Sequence, residues 1–246
     1  MRNRSEFMTP TEILGRLEQA IVDGEITVGD RLPSERTLAE QFSVSRPVIR
    51  EALRGLAERG LISVHPGRGS FVREESGDDL AAPLTRLARR AGATPRNIVT
   101  ARTAIECTAV ETAAELRSPE RLAELERALA AHEAAETTES RAQTDYDFHA
   151  TIVAAAENPV LAMMYQAIYP FTQGMMLRSQ DDADVRHAGE PQHALIVDAI
   201  RAGDADRARE LMRRHITLAL DLYGADIDKS LEDVLGGRGR LHLPVD

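Results

Sequence analysis

The sequence predicts a mainly α-helical chain in two parts: a short helical unit closed by a small β-hairpin, then an all-α antiparallel bundle. Three observations carry that expectation. Apolar residues recur at helical spacing along most of the chain. The one credible pair of strands flanks the tight turn His65-Pro66-Gly67-Arg68-Gly69. Beyond residue 80 the chain is rich in alanine and is punctuated by Gly92, Pro95, Pro119, Asn158-Pro159, Gly189 and Gly203-Asp204. That composition favours close-packed helices over a sheet.

From about Thr9 to Gly24, Ile13, Leu17 and Ile21 share an apolar face, which predicts a first helix. After a turn at Gly29-Asp30-Arg31-Leu32-Pro33, Ser34 can cap a second helix that ends near Gln41. A third opens at Ser45 and runs to about Arg59, stopping at Gly60. Pro47 lies in its first turn, where the missing N–H costs nothing. Ile49, Leu53 and Leu56 fall on one side and require a core. Arg46, Arg50 and Arg54 recur every four residues on another, a guanidinium stripe with no apolar purpose. Leu61 to Val64 and Ser70 to Arg73 then make a hairpin with a basic tip. Helix, turn, arginine-faced helix and basic hairpin form a winged helix-turn-helix. In such a motif the second helix enters the major groove by its N-terminal end.

The block P-S-E-R-T-L-A-E, then S-R-P-V-I-R-E-A-L, G-L-I and G-x-G-S-F-V resembles the DNA-binding domain of GntR-type bacterial transcription regulators. The resemblance covers the first seventy-five residues or so. It implies that Arg36, Arg46 and Arg50 contact DNA, with Ser45 and Pro47 at the same helix start. It also implies that the hairpin tip at His65 and Gly67 approaches the minor groove.

A chain of 246 residues is long enough for two domains, each with its own core. Expected boundaries are residues 1–75 for the DNA-binding domain, 76–79 for a linker, 80–228 for the helical domain and 229–246 for a mobile tail. No apolar run reaches the length of a membrane span, and the N-terminus lacks a signal-peptide core. With Cys107 alone there is no intrachain disulfide. A cytoplasmic protein is the expectation. Net charge is −10, which looks wrong for a DNA binder. Counted by region, residues 1–75 carry 11 basic and 12 acidic side chains, and the remaining 171 carry 19 and 28. The local field of the arginine stripe matters more to phosphate than the sum. Indiscriminate coating of nucleic acid is disfavoured.

Helices are expected at about 79–91, 94–117, 119–138, 141–156, 159–180, 190–202 and 204–223. Asp145 and His149 sit four residues apart on a face with Ile152 and Val153. His193 shares its face with Ile196, Val197 and Ile200, and His215 with Leu211, Leu218 and Leu222. One carboxylate and three imidazoles thus project from core-directed faces of three helices. Unpaired they would be costly, so they need each other, a water cluster or a cation. A first-row divalent metal suits the set. Asp147 points away from Asp145 by about 200° of helix rotation. His187 lies in an expected loop as the chief rival ligand, while His132 and His242 read as solvent-facing.

The segments D-Y-D-F-H-A-T-I, Q-H-A-L-I-V-D-A-I and R-R-H-I-T-L resemble the helical effector domain, FCD, of the FadR subfamily of GntR regulators. In its metal-binding members the ligands fall at positions matching Asp145, His149, His193 and His215. Zinc is the first choice, with nickel or manganese also suitable. Arg102, four residues before Glu106, reads as a surface ion pair from spacing alone. The resemblance makes it a clamp for an effector carboxylate. Met163, Met164, Met175 and Met176, with Tyr165, Tyr169 and Phe171, either wall a pocket or fill the core.

The expectation is a homodimeric, ligand-responsive repressor that binds a palindromic DNA operator and a small carboxylate effector. Two alternatives stand beside it: a metal-dependent hydrolase or lyase carrying a DNA-binding domain, and a regulator whose metal is only structural. The hydrolase reading lacks a placed general base, a G-x-S-x-G motif and a phosphate loop.

Overall fold

A computed structural model describes residues 8–74 and 76–235. The chain divides into two units, Met1–Glu75 and Ser76–Asp246. In the first, α1 (Pro10–Val22) is followed by α2 (Glu35–Phe42), α3 (Arg46–Glu58) and the strands β1 (Ile62–His65) and β2 (Gly69–Val72). Thr9 opens α1 with a capping box, its own N–H donating to Glu12 Oε2 at 2.7 Å. Ser34 caps α2 by accepting from the Thr37 N–H. The chain leaves α2 through Ser43 in the left-handed conformation (φ 53°), which turns it directly into α3. The strands pair antiparallel, Ile62 opposite Val72 and His65 opposite Gly69. Gly67 (φ 74°) and Gly69 (φ 107°) supply the backbone that this tight tip requires. Ile13, Leu38, Ile49, Leu56 and Ile62 close a core in which each is almost fully buried. The result is the winged helix-turn-helix that the pattern predicts.

In the second unit the order is α4 (Asp78–Arg90), α5 (Pro95–Leu116), α6 (Pro119–Glu133), α7 (Thr138–Ala155) and α8 (Pro159–Ala167), then α9 (Tyr169–Asp181), α10 (Ala183–Ala202) and α11 (Ala205–Tyr223). A 3-10 turn at Gly224–Asp226 and a short α12 (Leu231–Leu235) follow. Helix α5 is central, packing on α7, α10 and α11. Ala109, Ala113 and Ala114 on α5 and Ala208 on α11 are buried, and such small side chains let helix axes approach closely. Phe148, Ile152, Ile196 and Ile200 fill the interior beside them.

Four expectations need correction. The helix expected over 159–180 breaks at Ile168, because Pro170 has no N–H to continue the ladder and instead starts α9. Helix α10 begins seven residues earlier than expected, at Ala183, since Asp182 Oδ1 accepts from the N–H groups of Asp184 and Val185. Gly189 and Pro191 therefore lie inside it, and His187 is on a helix instead of a loop. Helix α6 stops at Glu133, and a Thr137–Ser140 capping box starts α7 at Thr138. Finally, residues 231–235 belong to the fold: Leu231 is buried and its N–H donates to the Ala93 carbonyl at 2.9 Å. Residues 236–246 of the expected tail, with His242, lie outside the described residues.

Candidate metal centre and nucleic-acid face

Helix α7 sets Asp145 and His149 one turn apart on its inner face, α10 brings His193 and α11 brings His215. One ligand atom from each lies within 4.8 Å of every other. His193 Nε2 is 3.2 Å and His149 Nε2 3.5 Å from Asp145 Oδ1, while the Nε2 atoms of His149 and His215 stand 3.1 Å apart. Asp145 Oδ1, both ring nitrogens of His193 and His215 Nδ1 are buried without a hydrogen-bond partner. Orphaned polar atoms in a core are costly unless something else satisfies them. Those facing nitrogens and the free carboxylate oxygen surround a point where a cation would satisfy several at once. The residues present fit a divalent metal.

The surrounding shell orients the set. The Nδ1–H of His149 donates to Glu106 Oε2 at 2.5 Å, and Arg102 Nε donates to Glu106 Oε1 at 2.7 Å. This chain fixes the His149 tautomer and aims the Nε2 lone pair at the cluster. The second oxygen of Asp145 accepts from Gln180 Nε2 at 3.1 Å, leaving Oδ1 inward. Burial pushes the Asp145 carboxyl up, but the His149 and His193 rings facing it outweigh that effect and hold the group well below the usual carboxylate range. For His215, burial and the neighbouring imidazoles act together and hold the ring well below the usual histidine value, hence neutral. Burial would lower His149 too, yet the Glu106 charge raises it above that value.

Spacing misread three residues here. Arg102 and Glu106 are not a surface pair but are buried, with 5% and 0% of their side chains exposed. Their helical phase, shared with the buried Val99, Val110 and Ala113, held that signal. His132 is not solvent-facing: it is buried, its Nδ1 lies 3.1 Å from Thr144 Oγ1 and its ring meets His193 edge-on at 4.7 Å. Gln180 escaped notice, because a lone glutamine carries no positional pattern. His187 is exposed and outside the cluster, and Asp147 faces solvent as its phase requires. Among the sulfur and aromatic side chains, Met175, Tyr165 and Phe171 are core, whereas Met163 and Met164 are largely exposed.

A cavity of about 40 Å³ adjoins the cluster, with Arg102, Met176, Gln180, Arg186 and Gly189 among its lining. Space on that scale holds a few waters, or the head of a small acid. Arg102 turns only Nε to Glu106; its terminal amino groups make no hydrogen bond among the described residues.

In the first unit, Ser45 caps α3 by backbone conformation without a side-chain bond, and Ser45, Arg46 and Pro47 are all exposed at that helix start. The Arg46 and Arg50 side chains are 61% and 67% exposed. Both reach Glu35 at the start of α2, Arg50 by a two-pronged bond at 3.1 and 2.9 Å and Arg46 at 3.6 Å. Arg36 is exposed and pairs with Glu40. His65 and Gly67 are exposed on the hairpin, the His65 ring packing edge-on to Phe71.

A winged helix-turn-helix joined to a helical unit that encloses a polar cavity defines a DNA-binding transcription regulator. The family model for bacterial regulatory proteins of the gntR family matches residues 9–72, and that for the FCD domain matches residues 97–218. The chain is 31% identical over 206 residues to the HTH-type transcriptional repressor NanR of Enterobacter sp. (strain 638), covering 81% of this chain and 79% of that one. NanR of Escherichia coli (strain K12) matches at the same identity, over 81% and 78%. Among solved structures, a Streptococcus agalactiae GntR protein superposes with a TM-score of 0.69 at 25% identity, covering 85% of this chain and 97% of that one. The chain belongs to the GntR family of bacterial transcription regulators and carries an FCD domain; its relatives are regulators, not enzymes.

Proposed function

We propose that the protein is a homodimeric repressor whose operator affinity changes when its helical unit binds a divalent metal together with a small carboxylate, such as a hydroxy acid. The supporting observation is the convergence of Asp145, His149, His193 and His215 around buried, unpartnered donor atoms beside a cavity that also contains Arg102. Three imidazoles and a carboxylate suit zinc, and nickel or manganese fit the same donors. Bound there, the ion supplies Lewis acidity toward the oxygen donors of a carboxylate or hydroxyl. The terminal nitrogens of Arg102 offer a planar fork for the same carboxylate.

The NanR relatives are transcriptional repressors, and that activity suits an α3 whose exposed N-terminal end carries Arg46 and, one turn on, Arg50. One such helix reads only a few base pairs, whereas two on a two-fold axis read a palindrome. On DNA, Arg50 exchanges Glu35 for phosphate or a base edge. The pair is exposed to solvent, so that exchange is cheap. A ligand shifts DNA binding only by preferring one dimer arrangement, and a coupling of about 1–3 kcal/mol changes affinity roughly 5- to 150-fold.

Elemental analysis of the purified protein, followed by gel-shift titration of the operator with metal and carboxylates, tests this reading. Stoichiometric metal and carboxylate-dependent release of DNA are expected. Protein that binds no divalent ion at neutral pH refutes the metal, and tightened DNA binding refutes release.

A further inference from the structure

Two polar groups beside the cluster remain unused by a metal and a single carboxylate. The Gln180 amide is oriented by chemistry: a carboxylate only accepts, so its nitrogen faces Asp145 Oδ2. Its oxygen is then left buried without a partner, on a side chain that lines the cavity. A hydroxyl donor satisfies it. Arg186, on α10, is the second group. Its NH1 donates to the main-chain carbonyl of Gln180 at 3.0 Å, while its Nε is 3.9 Å from Glu190 Oε1, beyond hydrogen-bond reach. The remaining terminal nitrogen makes no hydrogen bond among the described residues. Side-chain exposure rises from 5% at Arg102 to 21% at Arg186 and 46% at Glu190, which places Arg102 deep and Arg186 near the mouth.

Charge completes the picture. Arg102, Glu106 and Asp145 together carry one net negative charge; with the imidazoles neutral, as ligation requires, a divalent ion turns this to one positive. One carboxylate neutralises that. A second anionic group needs its own cation, and Arg186 is held by Glu190 only loosely.

Resting on the carboxylate reading above, we propose that the effector is a dianion: a hydroxydicarboxylate whose second carboxylate is received by Arg186 at the cavity mouth. Its hydroxyl lies within reach of Gln180. Glu190 is the group that this carboxylate displaces.

The test is titration calorimetry on the full-length, zinc-loaded protein with L-lactate, L-malate and 2-hydroxyglutarate, which share one 2-hydroxycarboxylate head. At least one dicarboxylate should bind about tenfold or more tightly than lactate, the scale of a charge-assisted hydrogen-bonded pair. Arg186→Gln should abolish that preference while zinc content and lactate affinity hold. Glu190→Gln should strengthen it. Equal affinity for mono- and dicarboxylates, or a preference that survives Arg186→Gln, overturns the dianion and leaves the carboxylate reading standing. If no carboxylate binds although zinc is retained, both fall together; failure to hold zinc removes the metal reading itself.

Discussion

At the scale of single residues, the centre depends on a relay. Arg102 holds Glu106, Glu106 holds His149, and the imidazole is thereby locked with its free nitrogen inward. Glu106→Gln keeps the shape but weakens this hold, and groups that orient a metal-bound histidine are worth about 10–100-fold in affinity. Competition with a chromogenic chelator should show a loss of that size; unchanged affinity would sever Glu106 from the site. Protons compete at the same place. Burial lowers His149 but Glu106 outweighs it, so that ring holds a proton more readily than a free imidazole, and the proton must leave before an ion binds. Metal affinity should therefore fall as pH drops from neutrality toward 5. An affinity that is flat over this range is incompatible with three imidazole donors.

At the scale of elements, α3 divides its duties by face. Ile49, Leu53 and Leu56 bury one side while Arg46, Arg50 and Arg54 stay exposed on another. Arg46→Ala leaves the core untouched. It should cost about 1–3 kcal/mol of operator binding and relax base preference if Arg46 reads a base edge. Should it only lower the salt slope by about one, with specificity intact, Arg46 is a phosphate contact instead. Helix α10 shows the limit of punctuation. Gly189 and Pro191 break a pattern on paper, yet both lie within a continuous helix that delivers Arg186 and His193 to one cavity. An added Cβ at Gly189 would stand 3.7 Å from the His215 ring, an ordinary van der Waals contact, so the packing there does not demand glycine.

At the scale of the whole molecule, the two units have separate cores, and the proposed metal belongs to one of them. Binding to the native state alone stabilises by about 2.7 kcal/mol at one hundred times the dissociation constant. Calorimetric melting with and without a chelator should accordingly move the transition of the helical unit and leave that of the DNA-binding unit in place. A single transition that moves as one would mean the units melt together. If the chelator lowers stability without altering carboxylate affinity, the metal is structural only.

The sequence by itself determined whatever depends on local chemistry. Caps, turns and helical phase wrote the winged helix-turn-helix, the exposed arginines of α3 and the inward faces bearing Asp145, His149, His193 and His215. Each of those signals is complete within a few turns of chain. Tertiary structure decided the rest. It buried Arg102 and Glu106 as a relay, brought His132 against His193, set Gln180 on Asp145 and carried the chain on through Pro191 and into α12. The physical reason is that burial and pairing depend on what the neighbouring helix presents, which spacing along one helix does not encode.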